Sequence, residues 1–185
     1  MSAINDPEVG ALAAISAALE VDYRQGGDPW VGSPFAWIKT QQSRRRGKVG
    51  EQLVAGYLAA KGFDVARAGD SEADRLINGH RVEIKFSTLW EAGVYKFQQV
   101  RDQDYEIMIC LGLCPFDAHC WAIPKTVLRQ QVIGKMGQHG GAAARDTDWM
   151  SFLPDKPFPW LAPYGGRLAD AAAALERLAR RSPTR

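Results

Sequence analysis

From Ile77 to Ser87 apolar and polar positions alternate: Val82, Ile84 and Phe86 share a face with Ile77, and Glu83 and Lys85 take the other. A period of two marks a half-buried strand. Asn78-Gly79 interrupts it, and both residues tolerate the positive φ of a type I′ turn, so a tight hairpin with Ile77 paired to His80 is expected. Residues 105–113 follow another rule. There Ile107, Met108, Ile109, Cys110 and Leu111 run without alternation, as in a buried strand. Residues 118–123 are expected beside it, joined through Pro115-Phe116-Asp117.

Helical spacing appears elsewhere. Over residues 48–61 Val49, Leu53, Val54, Tyr57 and Leu58 cover half of a helical wheel, Glu51 lies at the margin and Gly62 stops the helix. Residues 7–20 are Ala-rich behind Pro7 and read as a helix, broken by Gly26-Gly27-Asp28-Pro29. An irregular aromatic stretch, 30–40, and a basic lead-in, 43–47, come before the helix at 48–61. Residues 63–68 read as a strand, 89–101 as a helix weakened by Gly93, and Pro124 opens a helix to about Gln131. A loop at 134–145, an aromatic and Pro-rich segment at 149–164, and Gly165-Gly166 lead into an Ala-rich helix at 167–181. There is no internal repeat or low-complexity tract. This order predicts an α/β fold, a mixed central β-sheet flanked by helices.

At 185 residues, 46% hydrophobic and 24% charged, the chain suits one globular domain. The net charge of +2 is too balanced to mark a nucleic-acid binder, so distribution matters more than total. Lys39, Arg44, Arg45, Arg46 and Lys48 form an acid-free basic stretch, and Arg177, Arg180, Arg181 and Arg185 form another. Cys110, Cys114 and Cys120 are odd in number and lack CxxC spacing, which argues for a reducing compartment over a disulfide framework. His119 beside Cys120 matches no usual zinc spacing. No apolar run approaches the roughly 20 residues of a membrane span. Asp6 and Glu8 stand where a signal peptide is positive, so no membrane association and a cytoplasmic location are expected.

The hairpin also carries chemistry. Counting outward from Asn78-Gly79 sets Asp74 opposite Glu83, roughly 4.5–5.5 Å apart at Cβ, where like charges repel. A divalent cation would compensate them. Lys85 shares the face of Glu83.

A helix bearing Glu51, a strand, Asp74, then Glu83-Ile84-Lys85 resembles the PD-(D/E)xK nuclease superfamily, the restriction-endonuclease-like fold. The resemblance spans about residues 47–123, less than half of the chain, and Ser87 after the lysine fits it. Ala73 replaces the motif's proline, and no Q-x-x-x-Y follows, which argues against the exonuclease branch; the Arg-rich lead into Gly47-Lys48-Val49-Gly50-Glu51 looks most like small bacterial restriction or repair endonucleases. The resemblance implies a single nuclease domain over 1–185, with an N-terminal extension (1–46), a catalytic core (47–131) and a C-terminal segment (132–185). It implies Mg²⁺, with Mn²⁺ able to substitute, held by Asp74, Glu83 and the main-chain carbonyl of Ile84. Glu51 would bind a second ion, Lys85 would orient the attacking water, and products would carry 5′-phosphate and 3′-hydroxyl ends. Arg44, Arg45, Arg46, Lys48, Ser87, Gln99 and Arg101 become the expected contacts to double-stranded DNA. The expected activity is that of a type II restriction endonuclease, with a homodimer suited to a symmetric site. The alternatives are a DNA-repair or Holliday-junction endonuclease of the same fold, an RNA-directed nuclease, and a catalytically inactive nucleic-acid-binding module. Gln98, Gln99, Arg101 and Gln103 read equally as the wet face of a helix, and Trp149, Trp160 and Tyr164 as caps on the core.

Overall fold

The computed structural model describes Val9, residues 12–16, Ala18, and residues 27–137 and 147–180. The chain divides into a unit over residues 1–33 and a larger one over residues 34–185. In the first, the described residues among 9–18 are helical, in line with the expected helix. Asp28 Oδ1 accepts from the Trp30 N–H at 3.0 Å in the turn that follows. Most of the expected 134–145 loop, and Arg181 and Arg185, lie outside the described residues.

The second unit opens with a short helix α1 (Ala36–Lys39) and a long one, α2 (Ser43–Ala60). The basic lead-in expected before the long helix is therefore its first turns. Arginine is a strong helix former, and the Arg46 N–H already donates to Gln42 O at 2.9 Å. At the other end Gly62 takes φ 87°. Its N–H reaches Ala59 O (3.0 Å) and that of Phe63 reaches Leu58 O (3.1 Å), the paired bonds of a Schellman cap.

Strands β1 (Val65–Arg67), β2 (Arg75–Ile77), β3 (His80–Thr88), β5 (Ile107–Leu113), β6 (Ala118–Pro124) and β8 (Gly165–Arg167) form a six-stranded sheet in the order β1-β2-β3-β5-β6-β8. The pair β3–β5 is parallel and the others are antiparallel, so the sheet is mixed as expected. All seven residues of β5 are buried, matching its unbroken apolar run. Helix α3 (Lys125–Gln131) follows Pro124, and α4 (Leu168–Ala179) closes the unit. One sheet face, with Ile84, Ile109 and Ala122, lies under α2 and α4. On this side Phe86 packs so close to Gly50 that an added Cβ there would stand 2.3 Å from its ring. The opposite face, with Met108, Cys110, Trp121 and Ile123, joins the aromatic core.

Two expectations are corrected here. Residues 89–101 are not helical: β4 (Tyr95–Val100) pairs with β7 (Asp148–Phe152) in a separate two-stranded ribbon. Tyr95 and Phe97 alternate into the core, and an irregularity after Phe97 brings Val100 back to it. Gly165-Gly166 is not a mere lead-in but most of edge strand β8, so the terminal helix begins at Leu168. Gly165 crosses β6 so tightly that a Cβ would lie 2.1 Å from Cys120 O. The aromatic segment splits into β7 and a 3₁₀ turn (Pro159–Tyr164), with Trp160 and Tyr164 packed on the core. No described helix is long and apolar enough to cross a membrane.

Candidate active site

The hairpin forms as its sequence dictates. Asn78 (φ 49°) and Gly79 (φ 82°) both take positive φ, and the register is Ile77↔His80, Leu76↔Arg81, Arg75↔Val82. Asp74 lies at a bend just before β2, and its expected place opposite Glu83 is not among the registered pairs. Its N–H still donates to Val82 O (3.0 Å), but its carboxylate replaces the next backbone acceptor, with Oδ2 taking the Ile84 N–H at 2.8 Å. A strand residue turns its N–H and C=O to the same edge, so the Ile84 carbonyl faces this side too.

Glu83 is buried, and Lys85 Nζ donates to its Oε1 at 2.6 Å. Burial pushes the Glu83 carboxyl above its ordinary value; the Lys85 ammonium opposes the shift and the Asp74 carboxylate adds to it. Oxygen donors from Asp74, Glu83 and the Ile84 main chain suit a hard divalent cation. Glu51 stands apart: its Oε2 accepts from Lys48 Nζ at 2.7 Å and lies 3.6 Å from Arg75 Nη1. Among the described residues no three His, Cys, Asp or Glu side chains gather as one metal-binding group.

These residues open on a cleft of about 620 Å³ lined by Arg44, Arg46, Glu51, Asp74, Glu83, Lys85, Trp90, Lys96, Gln98 and Gln99. Arg44, Arg45 and Arg46 crowd the start of α2, which has no acid in its first turn. Cations there oppose the helix dipole by about 0.3–1 kcal/mol each, and Arg44 and Arg46 give the cleft a positive mouth suited to an anion. Of the expected DNA contacts, Arg44, Arg46, Ser87 and Gln99 line the cleft, whereas Arg45, Lys48 and Arg101 are not among its lining residues. The Ser87 hydroxyl is engaged by the backbone, donating to Thr88 O and accepting from the Lys96 N–H, both at 2.9 Å.

Sequence reasoning missed three residues. Arg75 joins the acids from behind, its Nη1 also donating to Asp74 O at 2.7 Å. Lys96 lines the cleft with its Nζ 4.0 Å from the ring centroid of Trp90. Lys96 and Trp90 were hidden by the helical reading of 89–101. Arg75 gave no signal, because only the pairing of hairpin and α2 brings it to Glu51.

The cysteines play no part here. Cys110 and Cys120 are buried on β5 and β6; burial raises both thiols, Cys120 to about 12. Cys114 and His119 both meet the Tyr95 hydroxyl, at 3.0 and 2.9 Å.

No protein-family model matches the chain, and no curated protein matches its sequence. Among solved structures, a bacterial homing endonuclease, I-Ssp6803I, is similar over 78% of this chain and 100% of its own, at 13% identity and a TM-score of 0.49.

Proposed function

We propose that this chain is a Mg²⁺-dependent endonuclease that hydrolyses phosphodiester bonds in double-stranded DNA, of the type II restriction kind. The observation that carries the reading is the convergence of Asp74, Glu83 and Lys85 in a cleft whose rim presents Arg44, Arg46 and Lys96. Asp74, Glu83 and the Ile84 carbonyl are the groups to hold the ion, with Mn²⁺ able to take its place. When bound, the ion supplies charge to the phosphoryl oxygens and lowers the pKa of the attacking water. Lys85 donates to that water and holds it in line, and its ammonium offsets charge developing on the phosphoryl group. Arg44, Arg46 and Lys96 grip flanking phosphates without reading sequence. Two copies related by a two-fold axis would cut both strands of a symmetric site.

The test is incubation of plasmid, synthetic duplex and four-way junction with the protein in Mg²⁺ or EDTA. Cutting should stop in EDTA and fall at least about 100-fold in Asp74→Asn, Glu83→Gln and Lys85→Met. Discrete plasmid fragments are the expected products; cleavage of junctions alone would mean a resolvase. Metal-dependent cutting undiminished in Lys85→Met would sink the mechanism.

A further inference from the structure

Resting on the nuclease reading, we propose that the cleft takes one divalent cation and that Arg75 supplies, at Glu51, the charge a second cation would bring. Three acids border this cleft, yet their partners divide them. Asp74 and Glu83 sit side by side on the hairpin, bonded to the Ile84 N–H and to Lys85. Glu51, on α2, has its charge offset already by Lys48 at 2.7 Å and Arg75 at 3.6 Å.

The two cations differ in freedom. The Lys48 side chain is 58% exposed and can swing away, whereas that of Arg75 is only 11% exposed. The same Arg75 nitrogen donates to Asp74 O at 2.7 Å, so the guanidinium is fixed between α2 and the start of β2. Guanidinium stays protonated throughout the working pH range. A second divalent ion at Glu51 would face this immobile charge across a carboxylate already neutralised. Arg75 is thus a positioning residue. It holds Glu51 in the cleft wall and keeps its carboxylate from recruiting metal.

The experiment counts Mn²⁺ bound to the full chain, reading free ion by electron paramagnetic resonance. Counts are made with and without a short phosphorothioate duplex, the duplex alone serving as baseline. One ion is expected for the wild type, and one for Glu51→Gln with less than a tenfold change in affinity. Glu83→Gln should weaken binding at least 100-fold. Arg75→Met should raise the count to two, and Arg75→Met with Glu51→Gln should return it to one. Two ions on the wild type, an ion lost in Glu51→Gln, or a single ion in Arg75→Met overturns the inference. If Arg75→Met does not fold, the wild-type and Glu51→Gln counts decide. No bound ion, or one held equally by Glu83→Gln, overturns the nuclease reading itself and the inference with it.

Discussion

The hairpin of β2 and β3 and the ribbon of β4 and β7 both border the cleft, yet they are specified in opposite ways. In the hairpin the turn sets the register, and Asn78 reinforces it by exchanging two 2.8 Å bonds with the Asp64 backbone. The information is local. In the ribbon Tyr95 pairs with Phe152, far along the chain, and rings hold the pair: Phe97 lies 5.7 Å from Phe152 and 6.3 Å from Trp121 between centroids. Asp74 and Glu83 sit on the locally coded element. The Lys96 and Gln99 wall sits on the element held by partners distant in the chain. The acid pair and the Lys96 and Gln99 wall thus have separate structural supports.

Removing a ring tests that separation hardest. Phe97→Ala empties a fully buried position and should cost about 3–5 kcal/mol, read as a lower midpoint in urea unfolding. Native-state hydrogen exchange should then show the β4 and β7 amides opening before those of β2 and β3. A loss below about 1 kcal/mol would mean that the ribbon does not share the core. The hairpin should respond less. Asn78→Ala forces alanine to φ 49° and removes the acceptor for the Asp64 N–H, together about 2 kcal/mol. Asn78→Gly relieves the backbone but loses the bond and adds freedom to the unfolded chain, about 1 kcal/mol net. If the two variants cost the same, positive φ is not what favours Asn78 there.

The same contrast explains what could be read before the structure. Asn78-Gly79, the even spacing around Glu83 and Lys85, and the apolar run of β5 each carry their meaning within a few residues, so hairpin, acids and buried strand were legible. The ribbon was not. Trp90, Val94 and Phe97 stand at helical spacing, and the irregularity between Phe97 and Val100 inserts the residue that disguises a period of two. Edge strand β8 was hidden likewise, because Gly165-Gly166 signals a break unless its partner β6 is known. Arg75 shows the limit at the site. Its neighbour Asp74 was legible from the turn, whereas its own partner Glu51 lies on a helix that only the fold brings near.

The smallest expected effect bears on function most directly. Among the described non-glycine residues only Asn78 and Gln99 take positive φ. Asn78 sets a turn that the hairpin needs, whereas Gln99 (φ 57°) is exposed, lines the cleft and makes no turn. Strained residues gather at functional sites, and under the proposed nuclease reading this glutamine would read an adenine edge. Gln99→Gly removes strain of about 1 kcal/mol or more, offset by the greater freedom glycine adds to the unfolded chain. The melting temperature should therefore rise by about 1–3 °C, while cutting of duplex DNA falls. A variant that is stabilised and cuts undiminished would show that the bend at Gln99 serves only to return Val100 to the core. One that is destabilised would show that its side chain supports the ribbon instead.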